Sequence, residues 1–122
     1  MRLLLVDDDD FLREALGEAL SYEGHEIATA SDGAEALAVL EHGPALDAIL
    51  LDLMMPVLDG WGFVERQQAN PRWAEIPVVV LTAMGTLPRP IAARAVLHKP
   101  FRIEALLEIL ERSEAVPATV HV

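Results

Sequence analysis

Short, saturated apolar runs recur along the chain, and four of them end on a polar or ionisable residue. Residues 2–6 stop at Asp7, 48–51 at Asp52, 76–81 at Thr82 and 96–98 at Lys99, and the more mixed stretch 25–30 reads as a further strand. The 48–51 run shows no polar alternation, as a central strand covered on both faces requires. Three consecutive valines at 78–80 make the fourth run the clearest strand. The stretches between them carry helical periodicity and helix-capping residues. Asp9 or Asp10 can cap a helix to about Tyr22, with Leu12, Leu16, Ala19 and Leu20 on one face. Ser31 or Asp32 caps a second through Ala36, Leu37 and Leu40, and Asp59 caps a third through Phe63 and Val64. Gly24, Gly43-Pro44 and Asn70-Pro71 supply the stops. A last helix is predicted over 102–113, with Leu106, Leu107, Ile109 and Leu110 inward. The regularity weakens at 84–90, which reads as turn, and Pro90 can start only a short helix to about Ala95.

Five strands alternating with helices imply an α/β fold, a doubly wound parallel sheet covered on both faces by right-handed crossovers. In such sheets ligands sit beyond the carboxyl ends of the strands. Asp7-Asp8, Asp52, Thr82 and Lys99 therefore arrive at one edge. One domain over residues 1–115 is expected, followed by a flexible C-terminal tail at 116–122.

Charge and cysteine usage narrow the chemistry. Twenty acidic residues against nine basic ones give a formal charge of −11, which argues against direct nucleic-acid binding through phosphate contacts. The absence of cysteine removes disulfides, thiolate metal sites and a cysteine nucleophile. No apolar stretch is long enough to span a membrane, and the opening MRLLLV is too short for a signal-peptide core. A cytoplasmic domain is expected.

Each edge residue has a plain reading in isolation. The Asp7–Asp10 run suits a helix start, Asp52 a turn, Thr82 a strand end bonded to backbone, and Lys99 the surface. Taken together they suit one task. Three crowded carboxylates repel one another unless a cation enters, and an all-oxygen set favours Mg²⁺. Lys99 and Thr82 can serve phosphoryl oxygens, leaving Asp52 as the nucleophile that forms an acyl phosphate. Phosphoryl transfer needs mainly positioning and charge neutralisation.

LLLVDDDD, DAILLDLMMPVLDGW, VVVLTA and HKPF together resemble the four motifs of the response-regulator receiver domain of bacterial two-component signalling, over residues 2 to about 113. The resemblance implies the flavodoxin-like strand order 2-1-3-4-5. It also implies Asp52 as the phosphorylated aspartate, Asp8 as direct metal ligand, and Asp7 acting partly through water. The Met54 backbone carbonyl would complete the metal shell, with Thr82 and Lys99 on the phosphoryl group. Pro56 and Gly60 match the family's loop residues. The implied partners are a sensor histidine kinase or histidine phosphotransfer protein, and a downstream protein, since no output domain follows in the sequence. The implied role is that of a phosphoacceptor rather than an enzyme; a monomer is favoured because of the departures at 84–96, not by the resemblance.

Two positions depart from the pattern. Thr82 and Lys99 lie 17 positions apart, more than a helical turn short of the family's usual spacing, and Pro88 and Pro90 fall in the shortened stretch. The fourth helix is thus expected to be short or irregular. Val96 stands where the family often has an aromatic switch residue.

Other signals are weaker. Gly60-Trp61-Gly62 opens a dinucleotide fingerprint, but Glu65 occupies the third glycine position. His25, His42, His98 and His121 lack metal-ligand spacing. Trp61 and Trp73 read as partly buried anchors rather than stacking platforms. A Mg²⁺-dependent aspartyl-phosphate phosphohydrolase of the haloacid dehalogenase type would use Asp7 and Asp9, but Phe11 replaces the Thr or Val of its motif, and the chain has no room for a cap domain. A binding-only receiver that is not phosphorylated is the remaining alternative.

Overall fold

The computed structural model describes the backbone of residues 1–115 and the side chains of residues 1–112. The expected tail at 116–122, with His121, lies outside the described residues. Strands β1 (Arg2–Val6), β2 (Glu26–Ala30), β3 (Ala48–Asp52), β4 (Val78–Thr82) and β5 (Ala95–His98) form one parallel sheet in the order 2-1-3-4-5. Helices α1 (Asp10–Tyr22), α2 (Gly33–His42), α3 (Gly60–Ala69) and α4 (Ile103–Ala115) cover it.

Period-two alternation sorts each central strand between two cores. Leu3, Leu5, Leu50, Val79 and Leu81 face Leu16 and Leu20 of α1 and Leu106 and Leu110 of α4. Leu4, Val6, Ile49, Leu51 and Val80 face Ala36 and Leu40 of α2 and Phe63 and Val64 of α3. β3 and β4 are buried at every position, which is why they read as unbroken apolar runs.

The helix starts follow local chemistry. The Asp9, Asp32 and Asp59 side chains accept from the backbone N–H groups of Leu12, Glu35 and Gly62. At α2, the Glu35 carboxylate also accepts from the hydroxyl of Ser31, just before the cap, at 2.8 Å. β4 begins at Val78 rather than residue 76, because Pro77 has no N–H to give the ladder.

The expectation of a short helix from Pro90 to about Ala95 is not met. No residue from 83 to 94 is helical, so among the described residues four helices cover the sheet, and the connection from β4 to β5 is wholly irregular. Pro90 biases Arg89 away from helical backbone. Ile91 and Ala93 then bury themselves in the α2–α3 core, with Ala92 partly buried against it between them. The Arg94 N–H donates to the Val78 carbonyl at 2.7 Å, leading straight into β5.

Candidate functional site

β1 and β3 are neighbours in the sheet, so Asp7, just past β1, and Asp52, closing β3, emerge side by side. One carboxylate oxygen from each of Asp7, Asp8 and Asp52 falls within a common 4.8 Å. Among the described residues this is the group of acidic and histidine side chains able to hold a metal ion. Asp7 and Asp52 are 1% and 6% exposed, whereas Asp8 faces solvent. Lys99, beyond β5, reaches in with Nζ 2.8 Å from Asp7 Oδ2 and 3.8 Å from Asp52 Oδ1.

The electrostatics of this cluster are unbalanced. Burial, reinforced by the nearby Asp7 and Asp8 charges, pushes the Asp52 carboxyl up from 3.8 to about 6, against the opposing pull of Lys99 and the Met54 N–H. A dense, oxygen-only donor set with one lysine opposite three carboxylates fits a hard divalent cation such as Mg²⁺, which takes one or two carboxylates and keeps several waters.

The remaining predicted residues flank the cluster. Leu81 pairs with Asp52, so Thr82 lies one position further along the adjacent strand. Thr82 is fully buried, and its Oγ1 accepts from the Met84 N–H at 3.0 Å. The Lys99 N–H donates to the Thr82 carbonyl at 2.7 Å, which ties the two residues' backbones together. The Met54 N–H points at Asp52 Oδ1 across 3.5 Å, while its side chain is exposed. Gly60 closes the loop after β3: its N–H donates to the Leu53 carbonyl, and a Cβ there would stand 2.8 Å from Leu53 Cα. Only glycine permits that approach.

Two partners of the site have no sequence signature. Arg13 of α1 donates from Nη1 to the Asp7 carbonyl at 2.6 Å. His98 Nδ1 lies 2.9 Å from the Met84 carbonyl, holding the start of the 83–94 segment to the end of β5. His25 bonds the N-terminal amine at 3.2 Å, away from the cluster. Trp73 is buried and Trp61 half-buried, with Arg72 and Arg89 stacked over their rings at 6.0 and 5.2 Å, so both act as anchors. Among the described residues no helix is long and apolar enough to cross a membrane.

This sheet, with an acidic cluster and an opposed lysine at its carboxyl edge, defines a flavodoxin-like receiver fold. The family model described as "Response regulator receiver domain" matches residues 3–111. The chain belongs to that family. It is 39% identical over 112 residues to response regulator MprA of Mycobacterium leprae, covering 88% of this chain and 48% of the relative. It is 38% identical over 125 residues to transcriptional regulatory protein GlrR of Escherichia coli, covering 96% and 27%. Among solved structures, chemotaxis response regulator CheY4 of Vibrio cholerae superposes with a TM-score of 0.83 at 32% identity, over 92% of this chain and 97% of that one. Response regulator TrrA of Thermotoga maritima, solved in complex with Mg²⁺–BeF, gives 0.82 at 30% identity over the same shares. The chain spans about half the length of the first curated relatives it matches.

Proposed function

We propose that this receiver domain accepts a phosphoryl group on Asp52 from a histidine kinase or a histidine phosphotransfer protein, with Mg²⁺ at the Asp7, Asp8 and Asp52 carboxylates. The observation that carries the reading is Lys99 Nζ poised between Asp7 and Asp52, beside three clustered carboxylates. An Asp52 oxygen attacks phosphorus, the P–N bond of the donor phosphohistidine breaks, and its electron pair leaves with the imidazole. With the Asp52 carboxyl at about 6, the attacking form predominates at neutral pH. Lys99 moves its charge from Asp7 toward a phosphoryl oxygen, and the Thr82 hydroxyl, which accepts from the Met84 N–H, donates its proton to another. The chemistry a bound Mg²⁺ supplies is neutralisation of the charge gathered between carboxylates and phosphate. The Met54 backbone carbonyl is assigned to the metal shell by the family resemblance.

The domain spans residues 1–115 and acts in the cytoplasm as a signal receiver, self-assisting in phosphorylation rather than acting as an enzyme on other substrates. It passes its signal to a protein partner without holding nucleic acid itself. The dehalogenase-type phosphohydrolase reading is disfavoured by Asp9, whose carboxylate caps α1 through the Leu12 N–H at 3.1 Å. A binding-only receiver is disfavoured by the complete acidic cluster and its lysine.

Incubation with acetyl phosphate and Mg²⁺, followed by intact mass, tests the proposal. Wild type gains one phosphoryl group, while Asp52→Asn, or wild type in excess chelator, gains none. Uptake that persists in either case overturns the assignment.

A further inference from the structure

We infer that Arg13 is a positioning residue for the metal site, acting through the peptide that joins Asp7 to Asp8. The inference rests on the Mg²⁺ reading above. The guanidinium forks: Nη1 donates to the Asp7 carbonyl at 2.6 Å, and Nη2 pairs with Asp10 Oδ1 at 2.5 Å. The arginine side chain is only 20% exposed, so it is held in place rather than waving in solvent.

Asp7 is gripped at every polar atom. Its N–H donates to the Ala30 carbonyl at 3.1 Å, Oδ1 accepts from the Asp9 N–H at 2.9 Å, and Oδ2 accepts from Lys99. Asp8 is the opposite case: its carboxylate is exposed, and no described hydrogen bond or ion pair reaches it. What directs Asp8 into the cluster is therefore the backbone. The Asp7 carbonyl belongs to the planar unit that ends at the Asp8 nitrogen and Cα. Fixing that carbonyl sets the tilt of the plane, and with it the direction in which Asp8 leaves the chain. Arg13 is the side chain that holds it, with the exposed Asp10 carboxylate on its outer nitrogen.

Position and charge make opposite demands here, which separates them experimentally. Removing a positive charge beside three carboxylates should tighten a divalent cation by Coulomb's law alone. Losing the tilt of the Asp7–Asp8 peptide should loosen it. Calorimetric titration of the full chain with MgCl₂ decides between them, for wild type, Arg13→Gln and Arg13→Lys. The expected result is binding weakened about tenfold in Arg13→Gln, a magnitude typical when a partner that orients a metal ligand is lost. Arg13→Lys, whose donor sits one atom further from Cα than the Gln amide and so can still reach the carbonyl, should recover most of the loss. In the metal-free protein, the Asp9 amide, bonded to Asp7 Oδ1, should exchange faster with solvent in Arg13→Gln at an unchanged urea midpoint. Equal or tighter Mg²⁺ binding by Arg13→Gln overturns the inference. Wild type that takes up no Mg²⁺ overturns the metal reading and this inference with it, a pattern distinct from the first.

Discussion

Lys99 approaches Asp7 a full ångström more closely than it approaches Asp52, at 2.8 against 3.8 Å. In the metal-free domain the lysine is thus first the counter-charge of a buried aspartate, and only second a neighbour of the phosphoacceptor. Breaking the pair leaves the Asp7 charge without its partner in the interior. Lys99→Ala should therefore destabilise the metal-free domain by about 2 kcal/mol, less than a fully buried pair costs because the lysine end is partly solvated. Urea unfolding in chelator measures this. Mg²⁺ should restore much of the loss, since ligand binding stabilises the folded state. An unchanged midpoint, or a variant that no longer binds Mg²⁺, would contradict the role given to Lys99.

The Asp52 carboxyl, raised from 3.8 to about 6, sets a direction for pH dependence. Between those values the folded metal-free domain holds a proton that the unfolded chain releases. Stability contributed by this group is therefore present in full below about pH 4 and lost as pH rises through 6. Asp52→Asn should stabilise the metal-free domain at pH 7.5 by up to about 2 kcal/mol, and by much less at pH 4.5. Equal effects at the two pH values would refute the burial-driven shift.

Mg²⁺ binding should compete with the same proton. Affinity should hold steady above pH 7 and fall by up to about tenfold per unit well below 6, as the metal must displace the Asp52 proton. Calorimetry from pH 7.5 to 5 reads this directly. A pH-independent affinity would place Asp52 outside the metal shell.

The family resemblance implies that Met54 and Met84 occupy the positions flanking the path of the water that attacks the acyl phosphate. Met54 is exposed at the rim, and Met84 packs partly into the α2–α3 core. Neither can orient a water, so the phosphorylated form should be long-lived. Met54→Asn combined with Met84→Glu should shorten the half-life several-fold, followed by intact mass after removal of the phosphodonor. Equal half-lives would dismiss the idea.

Val96 is half-buried against the α2–α3 core and has no ring to swing, and no helix joins β4 to β5. Phosphorylation should then act mainly on the 83–94 segment through the Thr82–Met84 contact, without creating a dimer through β5. Light scattering with beryllium fluoride and Mg²⁺ should report a monomer. In Trp73→Phe protein, the emission of Trp61, which stacks under Arg89 of that segment, should shift. A mimic-induced dimer abolished by Val96→Asp would overturn this expectation.

The parts of the molecule written in local chemistry were legible in the sequence. Asp9, Asp32 and Asp59 cap helices where capping residues precede apolar periodicity, and four strand ends deliver Asp7, Asp52, Thr82 and Lys99 to one edge. The path of residues 83–94 was not, because prolines say where a helix fails but not where the chain goes instead. Two buried positions, Ile91 and Ala93, are too few to announce its course. Arg13 escaped notice for a related reason. Its bond to the Asp7 carbonyl spans six residues back across a helix start, and any arginine on that face looks solvated in sequence. Gln67 is similar: its buried amide donates to the carbonyls of Trp73 and Ile76, a tertiary contact with no local mark.

The bare crossing from β4 to β5 also bears on how the sheet assembles. Val79 pairs with Ala95, 16 residues on, whereas Arg2 pairs with Glu26 across 24, Ile49 with Val78 across 29, and Leu3 with Ala48 across 45. Closing the shortest of these loops costs about 1 kcal/mol less chain entropy than closing the longest. With no helix to nucleate first, β4 and β5 form the most local parallel pair in the molecule. This late-sequence parallel unit is the one whose closure costs the least chain entropy, and it sets the strand that carries Thr82 beside the one that leads to Lys99.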